Sequence, residues 1–162
     1  MLLEQEMNVL MANHCENVLR VTGFNKDIVC FDEKFRGGKA GKDENYHFEN
    51  LYPIPESSIY DKCEWCKENW SVKGNFYEDS FSKDTLRNDE METYYYFDTP
   101  NVAPELLFQH VSEEFPKLEF MLVSSEPGND IHSIKVYCGG AIHSEEEFDE
   151  EEKVYWFGED EF

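Results

Sequence analysis

A chain of 162 residues with 40% hydrophobic and 15% aromatic content has the size of one folded domain and is too apolar to persist as an unfolded polymer. Its 36 acids against 14 lysines and arginines give a formal net charge of −22, a field that repels phosphate and anionic lipid and argues against direct binding of nucleic acid or a membrane surface. No run approaches the roughly 18–20 apolar residues of a membrane span, so the expectation is a soluble chain.

Met7 and Met11 both read as alternative starts, which makes residues 1–10 an expected N-terminal extension and 11–162 a single α+β domain. Glu16 to Thr22 reads as a strand ended by Gly23. Asn25 stands at a helix N-cap with Asp27 in the first turn, and Ile28, Phe31 and Phe35 follow at helical spacing. Gly37-Gly38 stops that helix, and residues 39–44 form a polar loop. Pro53 and Pro55 exclude a central strand from Phe48 to Glu56, so an extended segment packed by Phe48, Leu51 and Ile54 is expected. Ser57 or Ser58 caps a short predicted helix running to Trp70.

Two strands follow in the reading, Lys73 to Tyr77 and the strongly β-prone Thr93 to Asp98. Thr99-Pro100 has the chemistry of a helix start, and Val102, Leu106, Leu107, Val111 and Phe115 mark its face up to Pro116. Leu118, Phe120 and Leu122 alternate as in a half-buried strand, residues 126–130 make a turn, and Ile134, Val136 and Cys138 alternate again. Gly139-Gly140 turns the chain into a last hairpin. An acidic run at 145–152 precedes the apolar Val154-Tyr155-Trp156-Phe157. Strand, helix, insertion, strand, strand, helix, strand is the order of a ferredoxin-like sandwich, an antiparallel sheet with two main helices on one face. The insertion falls at about 37–70, where the least regular structure is expected, and the extra C-terminal strands extend or flank the sheet.

Several patches then resemble one family. Met11-Ala-Asn-His-Cys-Glu-Asn17 is similar to the opening of the YubB-type, ferredoxin-like proteins of phages and conjugative plasmids. Phe48 to Glu56 resembles their Phe-x-x-Leu-x-Pro-x-Pro segment, and Trp65 with Glu68-Asn69-Trp70 resembles their tryptophan-rich stretch. Phe97-Asp-Thr-Pro100 with Pro104, then Phe115-Pro-x-Leu118, resemble a helix start and exit. The departures are Ser71 to Gly74, which keep only the lysine of Gly-Thr-Lys-Trp, and Asn101, near the usual tryptophan. The resemblance implies a fold and a mobile-element origin, with no established reaction.

Five cysteines, irregularly spaced and without an export signal, read as reduced thiols in a cytoplasmic chain of the host cell. Cys63-Glu-Trp-Cys66 has the spacing of half a zinc site or a redox pair, and His14, Cys15 and His47 would have to complete it from elsewhere. Buried free thiols are the simpler reading, with no cofactor and no metal. His110 reads as a surface partner of Glu113 or Glu114, and no local spacing assembles a nucleophile with an oriented base. Gly37 to Lys42 lacks the Gly-Lys-Ser/Thr ending of a phosphate loop. Tyr94, Tyr95 and Tyr96 could stack bases, yet acids surround them and a core role fits better.

Charge remains the main signal. Residues 101–162 hold 16 acids and 3 bases. Blocks of like charge are usually solvated tails, but Phe148 interrupts this one and the apolar residues after it need packing. The expected partner-binding residues are Glu145, Glu146, Glu147, Asp149, Glu150, Glu151 and Glu152, set on a strand or turn that packs aromatics behind them. They imitate the phosphate charge of duplex DNA, one per about 1.7 Å, and would occupy the basic groove of a host protein or ribonucleoprotein. The leading expectation is a non-enzymatic anti-CRISPR or anti-restriction protein. The alternatives are a small enzyme or zinc protein at Cys63 and Cys66, or a structural factor forming homodimers or larger homo-oligomers.

Overall fold

In the strand β1 (His14–Thr22), alternate side chains serve two different apolar layers. The computed structural model describes residues 14–38, 45–84, 91–126, 128 and 131–158. β1 pairs antiparallel with β3 (Glu92–Pro100) on one side and β4 (Glu119–Glu126) on the other. With β2 (Ser82–Asp84), β5 (Ile131–Cys138) and β6 (Ala141–Glu147), these make a six-stranded antiparallel sheet in the order β2-β3-β1-β4-β5-β6. The helices are α1 (Asn25–Phe35), α2 (Phe48–Leu51), α3 (Lys62–Trp70), α4 (Glu105–Glu114) and α5 (Glu150–Phe157). The expected N-terminal extension, the phosphate-loop-like residues 39–42 and most of the 126–130 turn lie outside the described residues.

One sheet face carries Leu19, Val21, Tyr95, Phe97, Phe120, Leu122 and Tyr137. Ile28, Phe31 and Phe35 of α1, Trp70 of α3, and Leu107, Phe108 and Val111 of α4 pack onto it. Phe48 sits at the centre, edge-on to Trp70, Phe76, Phe97 and Phe108 with ring centroids 5.1–6.1 Å apart. The buried Asn17 carries no orphan burden: its amide donates to Cys15 O, Phe97 O and Thr99 Oγ1, and its Oδ1 accepts from Ser124 Oγ. The buried Asp32 accepts from the Tyr95 and Tyr46 hydroxyls at 2.7 and 2.9 Å and pairs with Arg36 and Lys83.

The opposite face presents the buried Val18, Tyr94, Met121 and Val123, with the half-buried Tyr96, Ile134 and Val136 packed against them. Trp156 and Phe157 of α5 lie against it. The acidic run and the apolar residues after it therefore enter a helix where a strand or turn was expected. Asp149 is its N-cap, its carboxylate accepting from Glu152 N at 3.1 Å, and Glu150, Glu151 and Glu152 occupy the first turn, where the helix dipole favours negative charge.

Several further expectations are corrected. Lys73 to Tyr77 is not a strand; Val72 and Phe76 dip into the core from an irregular segment instead. Phe48 to Leu51 is a short helix, because His47 Nδ1 accepts from Glu49 N and caps it. Ser57 and Ser58 lie in a 3-10 turn separate from α3, which Asp61 precedes. Asn25 is the first residue of α1 and Phe24 precedes it without a side-chain cap. Thr99-Pro100 ends β3: Pro100 lies opposite His14, and Thr99 Oγ1 donates to Val102 O at 2.7 Å, so the hydroxyl closes a turn rather than capping a helix. The face of α4 is Leu107, Phe108 and Val111, with Leu106 exposed. The hairpin at Gly139-Gly140 stands as expected, both glycines taking the positive φ that such a two-residue turn requires (56° and 86°).

Candidate functional site

All seven residues of β6 are exposed, and the strand lies at one edge of the sheet. Glu145 stands opposite Lys135 and Glu147 opposite Ser133, so both belong to the face that the helices cover, while Glu146, opposite Ile134, belongs to the other. Phe148 is buried, its backbone N donating to His132 O at 3.0 Å, and this folds the chain over the sheet end into α5. Asp149, Glu150, Glu151 and Glu152 are exposed beyond it. All seven carboxylates anticipated from sequence thus stand on one continuous strand, turn and helix start, with aromatics packed behind them.

Two acids that the sequence reading missed join them. Glu105 from the start of α4 and Glu126 from the end of β4 line a groove with Ile131, Ser133, Lys135 and Glu145 to Glu147, with a cavity volume of about 530 Å³. Lys135 Nζ bonds Glu105 Oε2 at 2.6 Å and Glu145 Oε1 at 3.2 Å. Burial alone would lower the pKa of this ammonium, but the hydrogen bonds and charges of Glu105 and Glu145 outweigh it and the net shift is upward. Burial, and then repulsion from Glu105, raises the Glu126 carboxyl, with Lys135 opposing. Glu105 and Glu145 share the one ammonium of this lining and the other carboxylates have none there, so the groove favours an added cation.

A second constellation was also invisible in local spacing. Ser125 Oγ lies 2.9 Å from His132 Nδ1, and His132 Nε2 lies 3.1 Å from Glu150 Oε1. Serine, imidazole and carboxylate in line have the chemistry of an activated nucleophile. Ser125 is completely buried, however, and Phe148 lies over the imidazole with centroids 5.3 Å apart. No substrate carbonyl reaches that hydroxyl in this arrangement. The triad acts as a pin between the sheet and the first turn of α5.

The cysteine pair is divided. Cys63 is exposed, whereas Cys66 packs in the core and burial, followed by Cys63 and Glu49, pushes its thiol up to about 11. Cys15 is buried with its thiol also raised, His14 stacks on Tyr77 at 4.3 Å, and His47 caps α2, so the other donors do not gather at Cys63. Among the described residues, no group of three or more His, Cys, Asp or Glu side chains converges as a metal ligand set. His110 pairs with Glu114 at 2.8 Å and stacks on Tyr52 at 3.7 Å. Tyr95 points into the helix-covered core and Tyr94 is buried on the opposite face, so the tyrosine run offers no open stacking platform. No helix among the described residues is long and apolar enough to cross a membrane.

The chain is an α+β protein built on a six-stranded antiparallel sheet. No family model and no curated protein matches its sequence. Among solved structures it is similar to the protein api92 from Yersinia pseudotuberculosis, described under family-model DUF1281, with a TM-score of 0.62 and 10% identity over 85% of this chain and 98% of that one. At that identity the likeness is one of fold.

Proposed function

We propose that this chain is an acidic binding protein that occupies a basic, nucleic-acid-holding surface of a host defence complex, in the manner of an anti-CRISPR or anti-restriction DNA mimic, and that it acts without catalysis. The observation that carries the reading is the exposed carboxylate series of β6 and α5 together with Glu105 and Glu126. The buried Phe148 and the half-buried Trp156 and Phe157 hold those charges on regular elements, so they are presented rather than trailing, and a field of this sign speeds encounter with basic surfaces. The order β2-β3-β1-β4, with α1 between β1 and β2 and α4 between β3 and β4, supports a ferredoxin-like reading extended by β5 and β6. That reading agrees with the mobile-element resemblance.

Affinity capture from host lysate tests the proposal. A nuclease or ribonucleoprotein should be retained at about 50 mM salt and released near 500 mM, where the screening length falls to a few ångströms. Converting Glu145, Glu146, Glu147, Glu150, Glu151 and Glu152 to Gln and Asp149 to Asn should abolish retention, while the circular dichroism spectrum stays that of the parent. Capture that ignores both salt and neutralisation would sink the electrostatic mechanism.

A further inference from the structure

The outer edge of β6 is unpaired among the described residues. Among the described residues β6 pairs with β5 alone, and its seven residues, Ala141 to Glu147, contain no proline or glycine. A strand of that length presents a row of unpaired N–H and C=O groups, the template on which an extended segment adds as another strand. The opposite edge, β2, has three residues and offers far less.

Charge selects the occupant. A second copy of this chain would add three more glutamates to the same edge and, in parallel register, set them directly opposite these, where like charges facing each other across strands are destabilising. A neutral strand would desolvate the carboxylates without compensation. A basic strand fits, because its side chains alternate between the two faces just as those of β6 do. Those on the helix-covered side meet Glu145 and Glu147 at the rim of the groove and have about 530 Å³ to enter, between Glu105 and Glu126. Beside that groove the Tyr137 hydroxyl is buried with no hydrogen-bond partner among the described residues. Burial, then Glu105 and Glu145, holds the phenol above its usual pKa, so it remains a neutral hydroxyl near those carboxylates.

We infer that β6 receives an extended, arginine- or lysine-bearing strand of the partner by antiparallel or parallel strand addition, with alternate cationic side chains entering the groove between β6 and α4. The inference rests on the partner-binding reading above and specifies its geometry: recognition combines main-chain pairing with charge, where simple mimicry uses charge alone.

The test uses the full chain and two peptides of equal charge. The first is a capped nine-residue peptide alternating Arg and Thr; the second is the same peptide N-methylated at four consecutive central residues, which removes donors toward both of its edges. Binding is read by fluorescence anisotropy, and its location by amide hydrogen exchange. The parent peptide should bind at low salt and slow exchange at alternate amides of residues 141–147. The methylated peptide should bind roughly tenfold or more weakly, as expected for losing two backbone hydrogen bonds. Equal affinity of the two peptides, or protection outside β6, overturns strand addition and leaves electrostatic docking standing. Failure of the parent peptide to bind at low salt overturns both. A dimer at low salt that protects residues 141–147 without peptide assigns the edge to a second copy and overturns the inference as well.

Discussion

Replacing His132 by Leu isolates the pin that fastens α5. The interactions with Ser125, Glu150 and Phe148 change, and their environments rank them. The Glu150 side chain is 72% exposed, so water replaces its bond to His132 Nε2 and the loss is about 0–1 kcal/mol. Leucine keeps an apolar surface under Phe148. Ser125 is different: it is completely buried, and without the imidazole its hydroxyl is stranded at a cost of about 1–3 kcal/mol. Ser125 therefore dominates, and His132→Leu should destabilise the fold by about 2 kcal/mol, a shift of roughly 1 M in the urea midpoint. Adding Ser125→Ala removes both polar partners together and should restore more than half of the loss, because an apolar pair of similar shape replaces a satisfied polar one almost neutrally. Glu150→Ala alone should shift the midpoint little. The reasoning fails if Glu150→Ala costs as much as His132→Leu, or if the double variant is no more stable than His132→Leu.

Asp32→Ala should cost about 3 kcal/mol or more, measured by chemical denaturation. It strands the buried Tyr95 hydroxyl and removes the carboxylate that Arg36 and Lys83 share. Thiol titration at pH 8 should count two fast cysteines, the exposed Cys30 and Cys63. Cys66, held near 11, and the buried Cys15 stay neutral thiols at that pH and should react only after denaturation, while the half-buried, upward-shifted Cys138 reacts slowly. Salt should raise the melting temperature while it weakens partner binding, since screening relieves the self-repulsion of a chain at −22 and also removes its attraction to a basic surface. A melting temperature that falls with salt would show that the ion pairs of the body outweigh the surface repulsion.

How far the sequence spoke depended on whether a local signal met competition. The apolar stripe Ile28, Phe31, Phe35 and the alternation of Leu118, Phe120 and Leu122 were legible because tertiary packing asks for the same period. The Gly-Gly hairpin was legible because few other residues take two successive positive φ values. Thr99-Pro100 failed as a helix start because the ladder from Glu92 onward continues to its pairing with His14, and the hydroxyl that could have capped a helix serves Val102 and Asn17 instead. The last helix had a readable signal that was passed over: Asp149-x-x-Glu152 is a cap sequence, and four apolar residues after it do not by themselves distinguish strand from helix. Glu105 and Glu126 could not have been assigned to the groove, since they stand 40 and 19 positions before Glu145 and meet it only through the packing of α4 and the pairing of β4 with β5.

The acid excess gathers toward the end of the chain because most of the bases precede it in sequence. Lys34 pairs with Glu114, Arg36 with Asp32 and Glu33, Lys67 with Glu64, and Lys83 with Asp32, so these four cations neutralise acids in the body of the fold. The last third has three lysines for 16 acids, and one of the three, Lys135, is bridged between Glu105 and Glu145. Gathering like charges at the end of a sheet costs folding energy unless something else holds them, and here the covering of Val18, Tyr94, Met121 and Val123 by α5 and Phe148 does so. Burial of Phe148 after β6 and packing of Trp156 and Phe157 from α5 thus fix in place a carboxylate surface that electrostatics alone would disperse, and a surface held against its own repulsion is already shaped for a positively charged strand.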